Sequence, residues 1–151
     1  MGITKKEILS IPPRIKDIAK QRDRIEALRE KLYSPRGLDT NEKVQSSGGE
    51  SAALADIVID MQQDLNEEQE TLNDIRARAA EIIETLPDEQ KYVMRLRYLD
   101  TDAAGEPIVH SWPEIAGVMF YSTPTTYRKH DEAMAILFPG EENEENRRES
   151  E

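Results

Sequence analysis

Apolar residues recur along this chain at helical intervals, and the elements follow from them. From Arg14 to Tyr33, Ile15, Ile18, Ile25, Leu28 and Leu32 fall at spacings that share one helix face, with Arg and Glu on the others. Pro12 and Pro13 mark the start, since proline suits a first helical turn, and "ITKKEILS" before them reads as a short separate helix. The stretch "SPRGLDTNEKVQSSGGE", residues 34–50, has only Leu38 and Val44 as apolar residues and reads as a mobile loop. Beyond it runs the longest pattern: Leu54, Val58, Met61, Leu65, Leu72, Ile75, Ala79, Ile82 and Leu86, spaced by threes and fours, with Glu68 alone interrupting the seam.

Such a stripe needs a partner, because in isolation it would leave leucine and isoleucine in water. Two partners are open, the first helix folded back as an antiparallel hairpin or a second copy of the chain. At ~1.5 Å per residue a first helix of about 20 residues cannot cover one of about 35, so the excess predicts a dimer contact or a dock for the C-terminal region.

Pro87 ends the long helix, and Asp88 and Glu89 suit the positive end of a new one whose apolar face is Tyr92, Val93, Leu96 and Leu99. "TDAAGEPIVHS" is a connector with a turn at Gly105-Glu106-Pro107. Two short helices around a tight turn follow in "SWPEIAGVMFYSTPTTYRKHDEAMAIL", residues 111–137, and an acidic tail, 139–151, is expected to be disordered. The fold class is therefore all-α, with a helical hairpin or coiled coil over 1–86 and a helix-turn-helix over 87–138.

Composition narrows the chemistry. Charged residues make up 34% and aromatics 5%, which suits long solvated helices, and the absence of cysteine excludes disulfides, thiol nucleophiles and thiolate metal sites. No apolar run approaches the ~20 residues of a membrane span. The net charge of −11 is the wrong sign for phosphate, yet it is unevenly spread. Residues 1–36 carry ten Lys/Arg against five Asp/Glu, residues 37–90 three against fourteen, and residues 91–137 five against six.

Within residues 111–137, Trp112, Ile115, Ala116 and Met119 are placed to form the packing face of the first helix. Ser122 is a natural N-cap for the second, and Pro124 fits its first turn. Thr126, Ala133, Met134 and Leu137 would face inward, leaving Thr123, Pro124, Thr125, Tyr127 and Arg128 outside. In a helix-turn-helix, residues so placed reach the major groove. Thr123 and Thr125 suit phosphate or a thymine methyl, and Tyr127 and Arg128 suit bases or backbone. Lys91, Arg95, Arg97, Arg128, Lys129 and the basic first helix are expected to be available to phosphate.

The segment "LPDEQKYVMRLRYLD" followed by "SWPEIAGVMFYSTPTTYRKHDEAMAIL" resembles region 4 of sigma-70-type factors, through the ordered elements "LRY", "EIA", "YS" and "YR.H". The whole chain resembles the ArpU-like group of small phage and prophage regulators. The resemblance implies a cytoplasmic transcription regulator, bacterial or prophage-encoded, that engages double-stranded promoter DNA, alone or beside RNA polymerase. It places Thr123, Pro124, Tyr127 and Arg128 at recognition positions, with Ser122 at the cap. Three departures stand out. Phe120 occupies a site where the family has glycine, Lys129 replaces an inward aliphatic, and the connector before Ser111 is longer.

No glycine-rich phosphate loop, nucleophile elbow or metal-ligand spacing is present, so neither an enzyme nor a cofactor or metal is expected. His110 lies on a connector, and His130 reads as a surface or helix-packing histidine. Two other functions fit the same pattern. One is a packaging initiator of the small-terminase kind, which joins a helix-turn-helix to an oligomerising helix. The other is an interaction adaptor, favoured by Phe120, Pro124 and the acidity.

Overall fold

The computed structural model describes residues 2–33 and 44–141, with side chains at 2–32 and 52–141. These residues form an all-α protein: α1 (Lys5–Leu9), α2 (Ile11–Tyr33), α3 (Val44–Ile83), α4 (Asp88–Met94) continued by a π-helical turn (Arg95–Leu99), α5 (Trp112–Met119) and α6 (Thr123–Leu137). The chain divides into two compact units, one of Lys16–Thr71 and one of Met1–Ile15 with Leu72–Glu151. Helix α3 starts at Val44, inside the stretch read as a loop. That stretch contains no proline after Pro35, and extending an existing helix adds a hydrogen bond per residue. Of the expected loop, residues 34–43 lie outside the described residues, as does the expected acidic tail from residue 142 onwards.

The unit 16–71 is an antiparallel pairing of α2 with α3. Arg29 donates to Gln62 at 2.9 Å, and a cleft between the helices is lined by Asp17 and Gln21 from one and Glu67 and Glu68 from the other. Falling numbers on α2 thus meet rising numbers on α3. Ile18, Ile25, Val58 and Leu65 are its buried residues, as the seam required. The first-helix partner is the one seen for this part of the stripe.

In the second unit the remainder of the seam is buried among other elements. Leu72, Ile75, Ala79 and Leu86 are buried, and Ile83 rather than the expected Ile82 is fully so. From the N-terminus come Ile3, Ile8, Ile11 and Ile15. A capping box closes α1: Glu7 N–H donates to Thr4 Oγ1 at 3.1 Å and Thr4 N–H to Glu7 Oε1 at 3.0 Å. Glu7 also pairs with Arg78 of α3 at 2.9 Å. Lys5, buried although charged, donates from Nζ to the Glu141 carbonyl at 3.0 Å.

Helix α4 departs from the expected face. Val93, Met94 and Tyr98 are buried, whereas Tyr92 is exposed and Leu96 and Leu99 are half-buried. Val93 and Tyr98 are five residues apart, which is the interval of a π turn, so Arg95–Leu99 rotates the tyrosine inward. Two contacts accompany that register: the Tyr98 hydroxyl is hydrogen-bonded to His130 Nε2 at 2.6 Å, and Arg76 of α3 donates to the Leu99 carbonyl at 2.7 Å.

The connector to α5 is tied at its base and open at its tip. Thr101 and Pro107 form an isolated antiparallel bridge, and His110 Nε2 lies 2.5 Å from Asp100 Oδ2. At the tip Asp102 Oδ1 accepts from the Ala104 and Glu106 amides, with Gly105 at φ 86° completing the turn.

Candidate nucleic-acid interface

Helices α5 and α6 begin with similar caps of different charge. At α5, Glu114 N–H donates to Ser111 Oγ at 3.2 Å and Ser111 N–H donates to Glu114 Oε1 at 2.8 Å, a full capping box with an acid in the first turn. At α6, Thr125 N–H donates to Ser122 Oγ at 3.2 Å and the Ser122 hydroxyl donates to Thr125 Oγ1 at 2.9 Å, but no acidic residue stands in the first turn. The positive end of the α6 dipole therefore lacks the carboxylate that compensates α5. Pro124 sits where no amide is needed.

Between the helices, Phe120 takes the left-handed conformation, φ 59° and ψ 38°. The Tyr121 amide donates back to the Ala116 carbonyl at 2.9 Å and the Phe120 amide to Gly117 at 3.3 Å, which closes α5 as a Schellman turn. This is the position at which the sequence resemblance expects glycine.

The inner faces are close to expectation. Ile115 and Ala116 of α5 and Thr126, Ala133 and Met134 of α6 are buried, with Trp112, Met119 and Leu137 half-buried. His130 is also buried, and it anchors a cluster that spacing alone does not disclose. Its ring meets Trp112 edge-on at 4.9 Å and Tyr98 in a tilted contact at 5.7 Å. Trp112 in turn stacks with Tyr127 at 4.7 Å and carries the Arg97 guanidinium 4.6 Å above its ring. The clue in the sequence is the pairing of a lone Trp with Arg97 and His130, one of only two histidines.

Four of the five expected phosphate-facing cations are engaged inside the protein. Lys129 Nζ lies 2.7 Å from Glu89 and 3.8 Å from Glu132, and Gln90 donates to Glu132 at 2.8 Å, so α6 is fastened to α4. The Lys129 hydrogen bond holds the Glu89 carboxyl below the usual carboxylate range, and Glu89 raises the Lys129 ammonium in return. Lys91 and Arg95 both pair with Glu84. Arg97 donates to the His110 carbonyl at 2.6 Å. These contacts leave Arg128 as the one of the five without such a partner among the described residues.

What remains outside is a narrower set. Ser122, Pro124 and Arg128 are exposed, Thr123 and Thr125 are half-exposed, Tyr127 is drawn against Trp112, and Lys129 is held by Glu89. Pro124, Thr125 and Arg128 stand four and three residues apart on one side of α6, and Arg128 makes no ion pair among the described residues. Comparison with protein-family models, with curated proteins and with solved structures returned no match.

Proposed function

We propose that the chain is a DNA-binding transcription regulator of phage type, in which α5 braces and α6 enters the major groove of promoter DNA. The observation that carries the reading is the N-terminal half of α6: a first turn free of acids, followed on the same side by Arg128, which has no ion pair among the described residues. Thr123 and Thr125 reach phosphate or a thymine methyl, and Arg128 reaches a guanine edge or phosphate. Tyr127 and Lys129 act on the scaffold side, setting how α6 is held, with Lys129 tethered and Tyr127 stacked.

On α6, Arg128 alone is left without an ion pair among the described residues, which makes a single copy a weak binder. With roughly two phosphate contacts, affinity falls only about ten-fold between about 50 and 200 mM salt. Useful occupancy then requires a second anchor, a homodimer through α3 or RNA polymerase beside the promoter. Ile57 and Ile59 of α3, about half exposed, are the residues that favour self-association. Fluorescence anisotropy with fragments from the gene's own neighbourhood, at these two salt concentrations, tests the reading. Binding that prefers one fragment and is reduced at least ten-fold by Arg128→Ala is the expected result. A lack of binding at low salt, with and without polymerase, would end it. The pairing of Lys91, Arg95 and Lys129 with carboxylates favours a second reading, a protein-interaction adaptor built on a helix-turn-helix, which that negative result would bring forward.

A further inference from the structure

Phe120 is unusual in two independent ways. It holds a left-handed backbone, φ 59°, where the Cβ of any residue but glycine is crowded. The residue is also 95% exposed, the most exposed large hydrophobic residue among the described residues. Neither property serves the turn. Glycine would make the same hydrogen bonds through Tyr121 and Phe120 amides without the crowding, and a ring in water adds nothing to packing. Strain and exposed apolar surface at one residue point to a contact made outside the folded chain.

The tether says where that contact lies. Phe120 precedes the N-cap Ser122 by two residues, so their Cα atoms are within about 7.6 Å, at the end of α6 that carries Thr123, Pro124 and Thr125. Val118, 60% exposed, widens the apolar tip. A surface approached by that end of α6 meets the ring as well. On the major-groove edge of DNA the 5-methyl of thymine is the apolar feature, and an aromatic side chain packs on it. Resting on the reading of α6 as the recognition helix, we propose that Phe120 is a base-contacting residue whose ring covers a thymine methyl in the bound site.

The test compares wild type, Phe120→Gly, Phe120→Ala and Arg128→Ala on the preferred fragment, with each thymine replaced in turn by deoxyuridine. Phe120→Gly is expected to raise the thermal midpoint by roughly 2–5 °C while weakening DNA binding about four-fold or more, opposite signs that a purely structural role does not produce. Deoxyuridine at one position should weaken wild type by about the same factor and leave Phe120→Ala unchanged. If both Phe120 variants bind like wild type while Arg128→Ala fails, the thymine contact is wrong although α6 still reads DNA, and the ring then serves a protein partner. If wild type binds no fragment, both readings fall together.

Discussion

The paired helices of residues 16–71 and the short helices α4 to α6 of the other unit bury their apolar residues by different means. In the first, Ile18, Ile25, Val58 and Leu65 are the buried set, and no polar residue is buried there among the described residues. In the second, Thr126 and His130 are buried beside Tyr98 and Met134, with Thr126 Oγ1 donating to the Ser122 carbonyl and His130 Nε2 bonded to the Tyr98 hydroxyl. Aliphatic pairing specifies that two helices meet. Directional bonds also specify at which register, and on the proposed reading a site that presents Arg128 at a fixed angle needs the second kind.

Substitutions can break or sharpen this contrast. The largest effect is expected from Ile115→Ala, which empties a fully buried position under the turn; about 3 kcal/mol of stability should be lost in urea denaturation. A loss below about 1 kcal/mol there would show that α5 is not the brace described. Tyr98→Phe comes next. It removes only a hydroxyl, yet it strands His130 Nε2 in a buried setting, so about 1–3 kcal/mol is expected, with the π turn relaxing toward an α register in amide chemical shifts. Were the cost negligible, directional bonding would not distinguish this unit from the aliphatic pair.

The smallest effect is the pH response. Glu7, Glu84, Glu89, Asp100 and Glu114 all have carboxyl pKa values lowered on folding, chiefly by Arg78, Arg95, Lys129, His110 and the Ser111 cap respectively. Lowered carboxyl pKa values stabilise the fold at neutral pH, and that contribution is lost as pH falls from the ordinary carboxylate range, about 4, through the folded values. The thermal midpoint should be flat from pH 7 to 5 and drop below about 4, with Glu89→Gln reducing the drop. A midpoint that stays level to pH 3 would count against the ion pairs as stabilising features.

Legibility in the sequence follows the same division. The all-α class, the stripe from Leu54 to Leu86, the cap at Ser122 and the inward set Thr126, Ala133 and Met134 were readable because they rest on local spacing. Phe120 was readable as an anomaly, since only a left-handed site makes glycine the expected residue. What spacing could not reveal depends on distant partners. Tyr98 displaces Leu96 and Leu99 from the core because His130, 32 residues later, supplies a hydrogen bond. Lys129 looks free until Glu89, 40 positions earlier, arrives at 2.7 Å. The set proposed to face DNA therefore contracts to Arg128 and the hydroxyls near it.

The connector between the π turn and α5 offers a practical handle. Its base is tied by the Thr101–Pro107 bridge and the His110–Asp100 contact, while residues 101–106 are exposed. Because the chain contains no cysteine, Ala103→Cys would create a single thiol for attaching a fluorophore or spin label. A reporter there would share the motion of α5 without covering Phe120, Thr125 or Arg128, so protein and DNA could each be observed by its own dye in the same titration.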